Sequence, residues 1–234
     1  MRRSTPDKAD PAFLDEKTAR KQAERQVVLD ALSGGLEAEA IEWTASSAIP
    51  PEFLTSPRVR LRQWTEADCA PFAALNADPV VMEHFPATLT RAQSDAAVER
   101  FAASIDRNGW GFWAADDLTG GEPRFAGFVG INIPQSPDLP FQPCVEVGWR
   151  LARPFWGKGL ASEGARLSLR VGFEVLGLQE IVAMTQLRNL RSRAVMDRLG
   201  MQEAVDEEFE HPAVPVGSHA RAMCLYRLKK PGSS

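Results

Sequence analysis

Trp156-Gly157-Lys158-Gly159-Leu160-Ala161-Ser162 puts two glycines, a cation and a hydroxyl into one short turn, and Glu163 follows. That composition suits an anion held by main chain. Glycine accepts φ > 0 and lets the backbone approach a bulky ligand. The first turn of a helix leaves N–H groups without intrahelical acceptors, and its dipole favours negative charge. A phosphate-bearing ligand is the expected occupant. Strand–glycine–helix turns also occur with nothing bound, so both readings stay open until the surroundings are considered.

Such a turn needs a strand before it and a helix after it. Val145, Val147, Trp149 and Leu151 alternate with Glu146, Gly148, Arg150 and Ala152, which predicts a strand over 145–151. Leu160, Leu167, Val171 and Val175 give the following helix an apolar stripe. A second strand is predicted over 178–185, followed by Asn189, Ser192 and a short amphipathic helix closing at Leu199-Gly200. Upstream, residues 58–63 read as a first strand and Thr65 opens a helix. Thr90 with Gln93 forms a capping box for another helix running to Arg107. Asn76-Ala77-Asp78-Pro79 reads as a helix stop. Residues 110–116 and 125–133 read as antiparallel strands around Gly120-Gly121, and 222–228 as a C-terminal strand.

On these residues the chain resembles the GNAT superfamily of acyl-CoA-dependent N-acetyltransferases, in the branch that includes the ribosomal-protein alanine acetyltransferases, over residues 58–228. The family's pyrophosphate signature falls on Trp156, Gly159 and Ala161. Trp156 departs from the usual Gln or Arg, as a Trp-Gly-Lys-Gly turn often does in that branch. Asn189-x-x-Ser192 and Arg198-Leu199-Gly200-Met201 resemble the second cofactor-contacting segment. The resemblance implies an α/β (α+β) fold with a mixed, mostly antiparallel central sheet, a parallel splayed strand pair and helices on both faces. It implies acetyl-CoA as cosubstrate. Trp156, Gly157, Lys158, Gly159, Leu160, Ala161 and Ser162 would bind it at the turn, main chain near Trp149, Arg150 and Leu151 along the pantetheine arm, and Asn189 beside it.

In such an enzyme an amine attacks the thioester, so a base is expected, and Glu146 in mid-strand is the candidate. Glu146 also shares its strand face with Arg150, and an ion pair between them is the alternative. Thiolate departure is eased by a hydroxyl acid, which many members supply as a tyrosine on the helix after the second splayed strand. The one tyrosine here, Tyr226, falls in the C-terminal strand, so Ser192 is the positional match. Ser192 reads equally well as a helix-start hydroxyl, and Asn189 as an N-cap. Segments 76–79 and 83–86 are candidate walls of the acceptor groove, and the proline-rich 209–219 a candidate lid. His84, His211 and His219 lack a metal-ligand spacing, so no metal is expected.

With 234 residues, 44% of them hydrophobic, and a net charge of −4, the chain can bury a substantial core. Its 27 basic residues are outnumbered by 31 acidic ones, leaving no global footprint for duplex nucleic acid. Cys69, Cys144 and Cys224 show no paired spacing and are expected reduced. No apolar run follows Arg2 and Arg3, so neither a signal peptide nor a membrane association is expected, and the cytoplasm is the expected location. Residues 1–57 read as an N-terminal extension, with a helix over 10–32 and a proline-containing linker; 58–230 form the acetyltransferase-like domain and 231–234 a tail. The extension reads either as a flexible terminus or as a helix that docks on the domain or on a second subunit, the latter giving a homodimer. The expected partner is an amine-bearing acceptor, a small molecule or a protein N-terminus. A nonenzymatic acyl-CoA-binding protein and an interaction module working through the N-terminal helix are the alternatives.

Overall fold

The computed structural model describes residues 49–134, 136 and 138–232. The helix expected over 10–32 lies outside them. Eight strands form one sheet: β1 (Val59–Arg62), β2 (Phe112–Asp117), β3 (Arg124–Asn132), β4 (Glu146–Leu151), β5 (Glu180–Gln186), β6 (Gln202–Glu203), β7 (Phe209–Glu210) and β8 (Ala222–Lys229). Their order is β1-β2-β3-β4-β5-β8-β6, with β7 also pairing with β8. Every pairing is antiparallel except β4 with β5, so the mixed sheet expected from the sequence is the one observed.

Helices cover both faces. The short α1 (Pro51–Leu54) precedes β1; α2 (Cys69–Ala77) and α3 (Arg91–Asn108) lie between β1 and β2. Thr90 caps α3 as its sequence predicts, accepting from the Gln93 N–H while the Gln93 side chain accepts from the Thr90 N–H. α4 (Leu160–Arg170), extended by a π turn at Val171–Val175, follows β4, and α5 (Leu190–Arg198) follows β5. The apolar stripe of α4 buries Leu160, Leu167 and Leu169 against Val129, Val147 and Leu151. On the opposite face α2 and α3 close a second, aromatic core of Trp64, Phe72, Phe112 and Phe128. Within the stretch read as a linker, Ile49 is buried and Phe53 and Leu54 pack on the α4 side of the sheet. Cys144 and Cys224 are buried and Cys69 half-buried, all as free thiols. No helix among the described residues is long and apolar enough to cross a membrane.

Candidate functional site

The parallel pair parts almost as soon as it meets. β4 and β5 are in register only at Glu146 and Val182, where the Val182 N–H donates to Val145 O at 2.9 Å. On the other edge of β4 the Ala152 N–H donates to Ala126 O at 2.8 Å. Backbone groups alternate sides along a strand in an antiparallel ladder, so Trp149 and Leu151 turn theirs away from β3, into the widening gap. The Leu151 carbonyl is engaged there by the Trp156 indole N–H at 2.6 Å. That bond explains a Trp at this position: it pins the turn back onto the strand that feeds it.

The turn itself matches its sequence. Gly157 and Gly159 have φ of 72° and 78°, and Gly159 serves as the N-cap of α4. The N–H groups of Leu160, Ala161 and Ser162 lie in that first turn, where no helical carbonyl precedes them. The Ser162 hydroxyl is buried and has no hydrogen-bond partner. A strap that sequence reading missed holds the turn from outside. Arg58 bonds the Lys158 carbonyl at 2.9 Å and Glu163 through Nε at 2.7 Å, while Ser56 donates to Glu163 at 2.6 Å. No local pattern signals this, because its members stand about a hundred residues apart.

The gap and the turn open into one cavity of about 1000 Å³. Every site residue expected from the sequence lines it except Lys158, whose ammonium sits 5.8 Å from the Phe155 ring centroid. The expected acceptor wall contributes His84, Phe85 and Pro86, and the 209–219 segment contributes His211 and Val214. Glu146 is the only carboxylate on the cavity wall among the described residues, against five arginines. Burial lifts its pKa from 4.5 to about 7, and the amide of its cross-strand neighbour Asn132 offsets part of that rise. The ion pair with Arg150 is not formed, since Arg150 bonds Asn76 instead. Three other acidic side chains pair with cations: Asp116 with Arg60 and Arg62, Glu83 with Arg191, and Glu210 with Arg221.

On the far side of the gap, Asn189 caps α5 by accepting from the Ser192 N–H at 3.2 Å and donates to Thr185 Oγ1 at 2.9 Å. It is therefore an N-cap that also faces the cavity. Ser192 is half-buried with its main chain already satisfied, so its hydroxyl is not needed as the cap. The Tyr226 hydroxyl accepts from Arg193 and donates to Glu203, away from the cavity. No cluster of His, Cys, Asp and Glu among the described residues is placed to hold a metal ion.

The family model for the acetyltransferase (GNAT) domain matches residues 58–202, and the chain belongs to this family. It is 32% identical over 149 residues to the uncharacterized protein YkkB of Bacillus subtilis, covering 63% of this chain and 84% of that one. A shorter match, 48% identical over 56 residues, covers 24% of this chain and 24% of the FsC-acetyl coenzyme A-N(2)-transacetylase of Aspergillus fumigatus. Among solved structures, the GNAT-family acetyltransferase of Bacillus anthracis superposes with a TM-score of 0.62 at 21% identity, over 76% of this chain and 98% of that one. The acetyltransferase of Agrobacterium tumefaciens gives 0.59 at 25% identity, over 78% and 95%.

Proposed function

We propose that this chain is an N-acetyltransferase that moves an acetyl group from acetyl-CoA to a primary amine by direct attack. One observation carries the reading: a single desolvated carboxylate, Glu146, stands where β4 and β5 part, in the same cavity as the glycine turn. The turn fits a pyrophosphate, with two positive-φ glycines, helix N–H groups and the orphaned Ser162 hydroxyl converging on it. The main-chain groups of Trp149 and Leu151 face the gap that the pantetheine arm would follow, with Asn189 opposite.

The thioester supplies an activated acetyl group and a sulfur leaving group. Glu146, with a pKa near neutrality, takes the proton that the amine loses as its C–N bond forms. As the C–S bond breaks, Ser192, on the opposite rim, relays a proton from solvent to the departing sulfur, regaining one as it gives one. A carboxylate that exchanges protons near pH 7 suits this task better than one held ionised by a cation, which is why the absence of a Glu146–Arg150 pair matters. The Trp-Gly-Lys-Gly turn aligns the chain with the branch resembling the ribosomal-protein alanine acetyltransferases, so N-terminal peptides belong among the acceptors tested.

Calorimetric titration of the full chain with acetyl-CoA, followed by thiol release against amines and N-terminal peptides, tests this. Binding with amine-dependent thiol release is expected. Absence of binding overturns the reading, and binding without release to any amine makes the chain an acyl-CoA-binding protein instead.

A further inference from the structure

Glu146, Gly148 and Arg150 share one face of β4, the one turned toward Phe112 and Phe128 rather than toward α4. The Arg150 guanidinium lies 4.1 Å from the Phe85 ring centroid and 5.6 Å from that of Phe128. Its Nη1 donates to Asn76 Oδ1 at 2.7 Å, and Asn76 in turn donates to Ser94 Oγ at 2.9 Å. Asn76 and Ser94 are fully buried, so the guanidinium is held by a fixed neutral support. Its Nε is occluded and has no acceptor. No carboxylate among the described residues pairs with it. Burial without a counter-charge lowers the Arg150 pKa to about 10.

A half-buried cation without a counter-charge is costly to keep, and aromatic stacking with one neutral amide does not replace an anion. Guanidinium presents a planar fork that takes a carboxylate through two bonds. At the other end of the same face stands Glu146, a desolvated carboxyl with no cation. Between them is Gly148, where even a Cβ would press on the Phe112 ring at 3.0 Å, so the floor stays bare. Two opposite, unmatched charges flanking a bare floor suit a ligand carrying the complementary pair. The cavity has four further arginines that a phosphate can draw on: Arg58 and Arg191, each already paired with a carboxylate, and Arg166 and Arg198.

Resting on the acetyl-transfer reading above, we propose that the acceptor is a zwitterionic amine whose amino group meets Glu146 and whose carboxylate pairs with Arg150. The two residues stand four positions apart on one strand, about 13 Å between Cα atoms, so the carboxylate belongs to a free amino acid with a distant amine or to the C-terminus of a short peptide.

The test measures kcat/KM for thiol release from acetyl-CoA with amino acids, ω-amino acids and dipeptides, each beside its carboxamide. In the unmodified enzyme at least one free acid is expected to exceed its amide by about 100-fold, the effect of a desolvated, charge-assisted pair. Arg150→Gln should bring that ratio to within a few-fold, and Arg150→Lys should keep part of it, while acetyl-CoA affinity stays within about twofold in both. The free amino acid and dipeptide arms separate the two sources of the carboxylate. Amides reacting as well as acids in the unmodified enzyme overturn this proposal and leave acetyl transfer standing. So does a loss of acetyl-CoA affinity in Arg150→Gln as large as its loss of acid preference. No release from any amine overturns both.

Discussion

The turn at 156–162 presents main chain to the cavity, whereas the Glu146–Gly148–Arg150 face of β4 presents side chains braced by distant parts of the fold. The turn is assembled from neighbours in sequence: two glycines at φ near 75°, a helix start, and Trp156 reaching back five residues to Leu151. The β4 face draws on Asn76, Ser94, Phe85 and Phe128. A backbone cradle serves any ligand with the right phosphates, so its design repeats among chains of different specificity. A side-chain face is where one chain departs from another, and choice of acceptor belongs there.

Changes at the two regions should separate binding from chemistry. Gly159→Asp puts a side chain and a negative charge among the helix N–H groups where the phosphates are proposed to sit, and acetyl-CoA binding should weaken by at least about 100-fold in calorimetry. Glu146→Gln should lower kcat by about 10²–10⁴-fold while acetyl-CoA affinity stays within about twofold. Equal losses at both positions would erase the distinction between the regions.

Acidity offers a finer cut. The base works when ionised, so kcat/KM should rise with pH, reach half its plateau near 7, and lose this dependence in Glu146→Gln. Stability should run the other way. The folded pKa of about 7 exceeds the ordinary 4.5, so the protonated form's contribution is complete below 4.5 and is lost as pH rises through 7. Glu146→Gln should therefore match the parent below pH 4.5 and exceed it by about 1–3 kcal/mol at pH 8 in denaturant unfolding. The smallest effect belongs to the strap. Arg58→Ala removes a partly exposed ion pair that positions the turn without belonging to it, and acetyl-CoA affinity should fall by about two- to fivefold.

The regions also differ in how far sequence reveals them. Glycine spacing, strand alternation and the Thr90 capping box are local, and the turn, β4 and α3 follow from them. Glu146 could be singled out as a mid-strand carboxylate, but whether Arg150 neutralised it depended on Asn76, seventy-four residues away in the chain. The Arg58 strap and the orphaned Ser162 hydroxyl had no local signature either. Both arise from which segments the sheet order brings together, and propensity carries no information about that.

β1 has a consequence for synthesis on the ribosome. It is an edge strand with two arginines, and a third, Arg58, stands just before it; their carboxylate partners all follow in the chain: Asp68 and Asp116 for Arg62, Asp116 for Arg60, and Glu163 for Arg58. Translation at about 5–20 residues per second delivers Glu163 on the order of 5–20 s after Arg58. Arg62 gains Asp68 almost at once and Arg60 waits for Asp116, so Arg58 is the charge that stays unpaired longest beside an edge strand, where charged side chains guard against edge-to-edge association. The arginine that straps the glycine turn in the folded chain is thus the last of the three to meet its carboxylate as the chain is made.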